Sequence, residues 1–154
     1  MQNKIFTFFL LLFLSSCGYE AIYSKKNSIN YNFSISELDF IGDREVNLKI
    51  KEKLTNYTLS KNNKSFILKI TSTSTKIIAT KDALGDATSF KNTVAANIEV
   101  LMDNKFKNSF LIVESFNYNN NPNKFNLKRY EKEINNNLAE TIADKLILKL
   151  SNIQ

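Results

Sequence analysis

The chain holds one thiol, Cys17, directly after the apolar run Ile5 to Leu14 and the pair Ser15-Ser16. A cysteine works as nucleophile, metal ligand or redox partner when its surroundings favour the thiolate. The usual helpers are missing here. There is no His among the 154 residues, so the common imidazole base, proton shuttle and zinc ligand are absent. A lone Cys builds neither an internal disulfide nor a thiolate metal site. Two carboxylate pairs are close in sequence, Asp43 with Glu45 and Asp82 with Asp86. The first is expected at a helix start and the second brackets a turn, so each has a structural use. Gly18, Gly42 and Gly85 are isolated glycines and make no phosphate-cradling loop or dinucleotide fingerprint. The residue types argue against an enzyme, a cofactor or a metal centre.

Lys and Arg outnumber Asp and Glu by 21 to 15, a formal charge of +6. Such an excess often marks a nucleic-acid binder. In this chain the charge is scattered, Arg occurs twice beside 19 Lys, and the N-terminus directs the chain away from nucleic acid. Met1-Gln2-Asn3-Lys4 carries one positive charge ahead of the ten apolar-run residues. As a helix that run covers about 15 Å, half of a hydrocarbon core of about 30 Å. It therefore reads as the central region of a secretory signal peptide and not as a spanning anchor.

Leu14-Ser15-Ser16-Cys17 resembles the lipobox of bacterial lipoproteins; a core helix carrying an unremarkable Cys is the alternative. The resemblance implies diacylglyceryl transfer to the Cys17 sulfur, cleavage after Ser16 and usually acylation of the new amine. Several acyl chains anchor stably where one holds marginally, at about 0.8 kcal/mol per buried CH₂. Gly18 stands where inner-membrane lipoproteins of enteric bacteria carry Asp, which implies the periplasmic face of the outer membrane. Residues 1–16 are then a signal peptide, 17–30 a lipidated tether containing Lys25-Lys26, and 31–154 a single domain.

The rest of the chain alternates between two hydrophobic periods. Tyr31, Phe33 and Ile35 alternate with polar neighbours as in a half-buried strand, and the phase shifts at Glu37 before Leu38 and Phe40, which predicts a bulge or a strand end. Gly42-Asp43 breaks the strand. Val46, Ile50, Leu54 and Tyr57 then mark one face of a helix over 43–58, with Lys49, Lys51 and Lys53 toward solvent. Phe66, Leu68 and Ile70 begin a second strand that the Ser/Thr run at 71–75 carries to Ile78, although such a run is also a linker composition. Leu84-Gly85-Asp86 turns into a long alternation from Thr88 to Met102, so a long hairpin is expected. Asp103-Asn104-Lys105 leads to a fourth strand with Phe110, Ile112, Phe116 and Tyr118 on one face, followed by an Asn-rich loop at 117–123. Tyr130, Ile134, Leu138, Ile142, Leu146 and Leu150 recur every four residues in a final helix over 127–151. Its polar face mixes both charge signs, which favours core packing over a membrane-surface role. The order β-α-β-β-β-α predicts an α+β two-layer sandwich, two α-helices on one face of a four-stranded sheet.

Cys17-Gly18-Tyr19-Glu20-Ala21-Ile22-Tyr23, Asp43-Arg44, Asp86-Ala87-Thr88-Ser89 and Arg129-Tyr130-Glu131, in this order, resemble the LPS-assembly lipoprotein family LptE in its alphaproteobacterial form. Ala21 departs from the family's usual Pro. The resemblance implies a non-catalytic lipoprotein that partners a large LptD-type β-barrel and helps deliver lipopolysaccharide to the outer leaflet. A different small outer-membrane lipoprotein, binding a lipid or scaffolding another envelope complex, is the alternative. Lipid A and inner core are anionic, so a basic domain gains from contact with them. Lys76, Lys81 and Lys91, on or beside the hairpin, are candidate lipopolysaccharide contacts; the alternative is that they are solvated lysines in a lysine-rich chain.

Overall fold

The computed structural model describes residues 32–59, 62 and 64–153. The signal peptide, the tether, Cys17 and the strand residue Tyr31 lie outside the described residues. The elements run strand β1 (Ser34–Gly42), helix α1 (Arg44–Thr58), strands β2 (Ser65–Lys81), β3 (Ala87–Met102) and β4 (Lys105–Asn119), and helix α2 (Lys124–Ser151). The expected order and α+β class are found. The strands form one mixed sheet in the order β1-β2-β3-β4. β1 is parallel to β2 and the other pairs are antiparallel. A parallel pair needs a long crossover, which α1 supplies.

Every second strand residue turns toward the helices. Phe66, Leu68 and Ile70 of β2, Val94, Ala96, Ile98 and Val100 of β3 and Ile112 of β4 are buried. They form one core with Val46, Ile50 and Leu54 of α1 and with Ile134, Leu138, Ile142, Leu146 and Leu150 of α2. The break in the β1 pattern is a bulge: the register passes from Ile35↔Phe66 to Glu37↔Ile67, leaving Ser36 unpaired. The Ser36 hydroxyl donates to the Phe66 carbonyl at 3.2 Å. The extra residue lets Ile35 and Leu38 face the same core despite their odd spacing.

Asp43 caps α1. Its Oδ1 accepts from the Glu45 and Val46 N–H groups at 3.0 and 3.1 Å, satisfying donors that a helix start leaves free. The Asp43 N–H donates to the Ser72 carbonyl at 3.1 Å. Ser72 Oγ lies 2.7 Å from Asn47 Oδ1, and Asn47 Nδ2 donates to the Ile41 carbonyl at 3.3 Å. Ser72 and Asn47 are both buried, so this polar knot ties the β1–α1 corner to β2.

Three sequence expectations need correction. Lys49 and Lys53 are not simply solvated: both are half-buried and meet Glu140 of α2 at 3.1 Å, while Lys51 is exposed. α2 begins at Lys124, not 127, because Asn123 accepts the Asn126 N–H at 3.1 Å as a cap. β4 continues through Asn119, since pairing with β3 extends to Ser89↔Asn119; composition marks those asparagines as loop, but ladder bonds override it.

The bridge between the helices carries a pH signature. A hydrogen bond from Lys49, assisted by Lys53 and opposed by desolvation, holds the Glu140 carboxyl below its ordinary value. A depressed carboxylate stabilises the fold above its unfolded pKa, and that contribution is lost as pH falls through the folded pKa. Glu140→Gln is therefore expected to lower the urea midpoint at pH 7, and the gap to the parent to close below about pH 4. Urea titrations at pH 7 and pH 3 check this; an equal gap at both would refute it.

Candidate functional site

The three singled-out lysines do not converge. Lys76 pairs across the ladder with Asn92, and its Nζ lies 3.9 Å from the Phe90 ring centroid and bonds to Glu131 of α2. Lys91 pairs with Ile77 one residue along the ladder, so it points to the opposite face, and Lys81 ends β2 opposite Ala87. Lys76 is exposed but tied to Glu131 of α2, whereas Lys81 lies farther out in the arm of the hairpin, where every residue from 75 to 86 is exposed. At the tip Asp82 Oδ1 accepts from the Leu84 and Asp86 N–H groups at 2.9 Å each. The Asp82–Asp86 pair is therefore turn chemistry. Leu84 is 89% exposed there. Asp43 and Glu45 likewise serve the α1 cap.

A polar and aromatic cluster that local sequence did not reveal joins the hairpin to α2. Asn92 is buried within the otherwise apolar β3 face. Its Nδ2 donates to Asn135 Oδ1 at 3.2 Å, and its Oδ1 lies 3.0 Å from the Tyr118 hydroxyl. That hydroxyl is also 2.9 Å from Glu131 Oε1. Burial, then the hydrogen bond to Glu131, pushes the phenol well above its ordinary pKa, so Tyr118 stays a donor throughout the physiological range. Phe90 and Tyr130 flank it with ring centroids at 5.8 and 5.9 Å. Residues 92, 118 and 131 come from three elements, so no spacing rule finds them; the one local signal is an Asn interrupting the apolar alternation. Tyr118→Phe is expected to destabilise the fold by about 1–2 kcal/mol, because the Asn92 carbonyl and the Glu131 carboxylate lose the hydroxyl they share. Equilibrium urea unfolding checks it, and an unchanged midpoint would contradict the network.

Beside this cluster, Phe116 and Tyr130 depart from the stripes assigned to them. Phe116 is on the helix-facing side, opposite Asn92, yet it is 46% exposed, and Tyr130 is 45% exposed. Both line a groove of about 420 Å³ with Asn117, Tyr118, Asn119, Asn120, Asn121 and Leu127. A second groove, about 610 Å³, lies near the other end of α2, where Lys107 and Lys149 join Asn108, Phe110, Asn152 and Ile153. Lys149 Nζ stands 5.0 Å from the Phe110 centroid. Among the described residues no group of three or more His, Cys, Asp or Glu could hold a metal ion, and no helix is long and apolar enough to cross a membrane.

Among the described residues, no helix lies on the other face of the sheet. Across it run Ile41, Thr71, Asn97 and Leu111 in register, with Thr73, Ala95 and Val113 beside them. Ile41 and Leu111 are 68% and 69% exposed, and Ile77, Phe106 and Val113 are also exposed. Among the described residues β4 is an edge strand with no further strand beside it, an arrangement able to accept another strand. Past Ser72, where pairing with β1 ends, one side of β2 likewise has no described strand beside it.

Solved structures share this architecture. The rare lipoprotein B of Shewanella oneidensis superposes with a TM-score of 0.55 at 14% identity, over 75% of this chain and 97% of that one. A minor lipoprotein from Acinetobacter baumannii gives 0.56 at 12% identity, covering 75% and 90%. Lipoprotein B of Nitrosomonas europaea gives 0.54 at 9% identity, covering 75% and 81%. At these identities the likeness is one of fold. No family model matches the chain, and no curated protein matches it in sequence.

Proposed function

We propose that this chain is a lipid-anchored lipoprotein at the periplasmic face of the outer membrane that partners a large LptD-type β-barrel in delivering lipopolysaccharide to the outer leaflet. On this reading it is an LptE-type scaffold and performs no catalysis. The observation that carries the proposal is the sheet face that no described element covers, beside the 15-residue strand β4 at the edge of the described sheet. Exposed Ile41, Leu111 and Val113 among threonines form a mixed apolar and hydroxyl surface. A partner with a broad, partly polar wall fits such a surface, and the interior of a β-barrel has that character. The lipobox ending at Cys17 and a fold shared with bacterial lipoproteins support the same reading.

The test is site-specific photo-cross-linking in intact cells, followed by purification from detergent-solubilised outer membrane. A cross-linker at Leu111 is expected to capture a large barrel. One at Leu148, exposed on α2, is expected to capture none. Absence of a co-purifying barrel from both samples would overturn the proposal. For lipopolysaccharide contact, the positions of the lysines sharpen the experiment. Lys76 is occupied by Glu131, so charge reversal there disturbs the fold; Lys81 and Lys91 are the clean sites. Lys81→Glu with Lys91→Glu is expected to weaken lipopolysaccharide binding, more strongly at low ionic strength, and unchanged binding would remove these lysines from the mechanism.

A further inference from the structure

We infer that the groove between the end of β4 and the first turns of α2 is a binding site for a neutral saccharide. Its lining presents the half-exposed rings of Phe116 and Tyr130, the loop residues Asn120 and Asn121 and no charged residue, while Tyr118 is buried and Asn117 and Asn119 occupy the strand face opposite Phe116. That composition matches a sugar ring, which offers C–H-rich faces to aromatic rings and hydroxyl groups to amides that both donate and accept. It does not match a phosphate, which calls for cations or a helix N-terminus rich in free N–H groups.

The geometry favours a prepared site. Phe116 stands on an edge strand and Tyr130 on a helix, so neither ring depends on a loop for its placement. Tyr130 meets Tyr118 edge-on at 83°, and Tyr118 is itself held by Asn92 and Glu131. Asn120 is pinned by its N–H to the Thr88 carbonyl and by Nδ2 to the Ala87 carbonyl, both at 2.8 Å. Its Oδ1 is the buried side-chain acceptor among the described residues that finds no donor. That oxygen is closed to solvent, so the Asn120 amide serves to fix the chain at the end of β4 and the groove draws its contacts from the exposed rings beside it. At the edge of the described sheet, β4 adds backbone groups of the same neutral chemistry. The site is distinct from the hairpin lysines: Lys81 and Lys91 are absent from its lining.

The saccharide chemistry stands on this groove alone; only the expectation that the sugar belongs to lipopolysaccharide rests on the proposed function. The experiment uses the full chain in a zwitterionic detergent, because glycoside detergents would compete. Two neutral probes are titrated: a dephosphorylated lipopolysaccharide outer-core oligosaccharide freed of the acidic inner-core sugars, and a disaccharide of N-acetylglucosamine standing for the peptidoglycan backbone. Saturation-transfer NMR reads ligand contact, and Asn side-chain amide shifts read the site. Binding of the core oligosaccharide is expected, weakened about tenfold by Phe116→Ala or Tyr130→Ala. Both rings are about half exposed, so thermal unfolding should stay near the parent. Should one variant fail to fold, amide shifts at Asn120 and Asn121 in the parent decide instead. Binding of the disaccharide alone would support the groove and overturn the lipopolysaccharide source. Binding of neither probe, an affinity untouched by both variants, or binding that requires phosphate would overturn the site. Loss of the barrel partner with saccharide binding retained would refute the assembly role and leave this inference intact.

Discussion

Replacing Gly42 by alanine is expected to destabilise the domain by about 3 kcal/mol, combining backbone strain of about 1–3 kcal/mol with a lost hydrogen bond worth about 1 kcal/mol. Gly42 ends β1 with φ of +102°, where L side chains are rare. An added Cβ would sit 1.9 Å from the Ser72 carbonyl oxygen. That oxygen also accepts the Asp43 N–H, so relieving the clash loosens the α1 cap and the β1–β2 corner together. Gly85 is the control. Its φ is +90° but nothing lies within 4 Å of its Cβ position, so Gly85→Ala should cost only strain, about 1 kcal/mol. Urea unfolding of both variants separates close approach from conformation. Equal losses would show that the approach of Ser72 is not what requires glycine at 42.

Replacing Cys17 by alanine is expected to abolish membrane anchoring. Without the sulfur there is no acceptor for a diacylglyceryl group, and lipoprotein-type cleavage after Ser16 should fail. One acyl chain binds a bilayer with an association constant of only about 10⁴ M⁻¹, whereas two or more hold stably; the change is near all-or-none. The parent should stay with membranes through an alkaline wash and carry the mass of its acyl groups on the N-terminal peptide. The Cys17→Ala chain should leave the membrane or persist as precursor with residues 1–16 attached. An unmodified thiol in the parent, or equal retention of the variant, would refute the anchor.

Much of this is legible without coordinates because it depends on local order. The ten-residue apolar run before Cys17 is read along the chain. The alternations through Phe66–Ile70 and Thr88–Met102 and the four-residue spacing from Ile134 to Leu150 name strands and helix because burial selects one face of each element. Even the bulge leaves a mark, since an inserted residue shifts the phase at Ser36–Glu37. The errors fall where a long-range contact overrides a local rule. Lys49 and Lys53 read as solvent-facing until Glu140, nearly ninety residues away in the chain, arrives between the helices. The asparagines after Phe116 read as loop until β3 pairs with them.

The amino-acid order alone carried the resemblance of Leu14–Cys17 to a lipobox, the β-α-β-β-β-α succession and the absence of histidine, since each follows from residue type or from spacing along one segment. Which lysines are free, which aromatic rings stay uncovered, and where Asn92, Tyr118 and Glu131 meet came only from the packed fold. Those facts depend on α2 lying over β3 and β4. Packing of α2 against β3 and β4 buries Ile134 and Leu138 yet leaves Phe116 and Tyr130 half-exposed beside Asn120 and Asn121. No periodicity encodes that difference, because the same apolar stripe serves a covered ring and an exposed one.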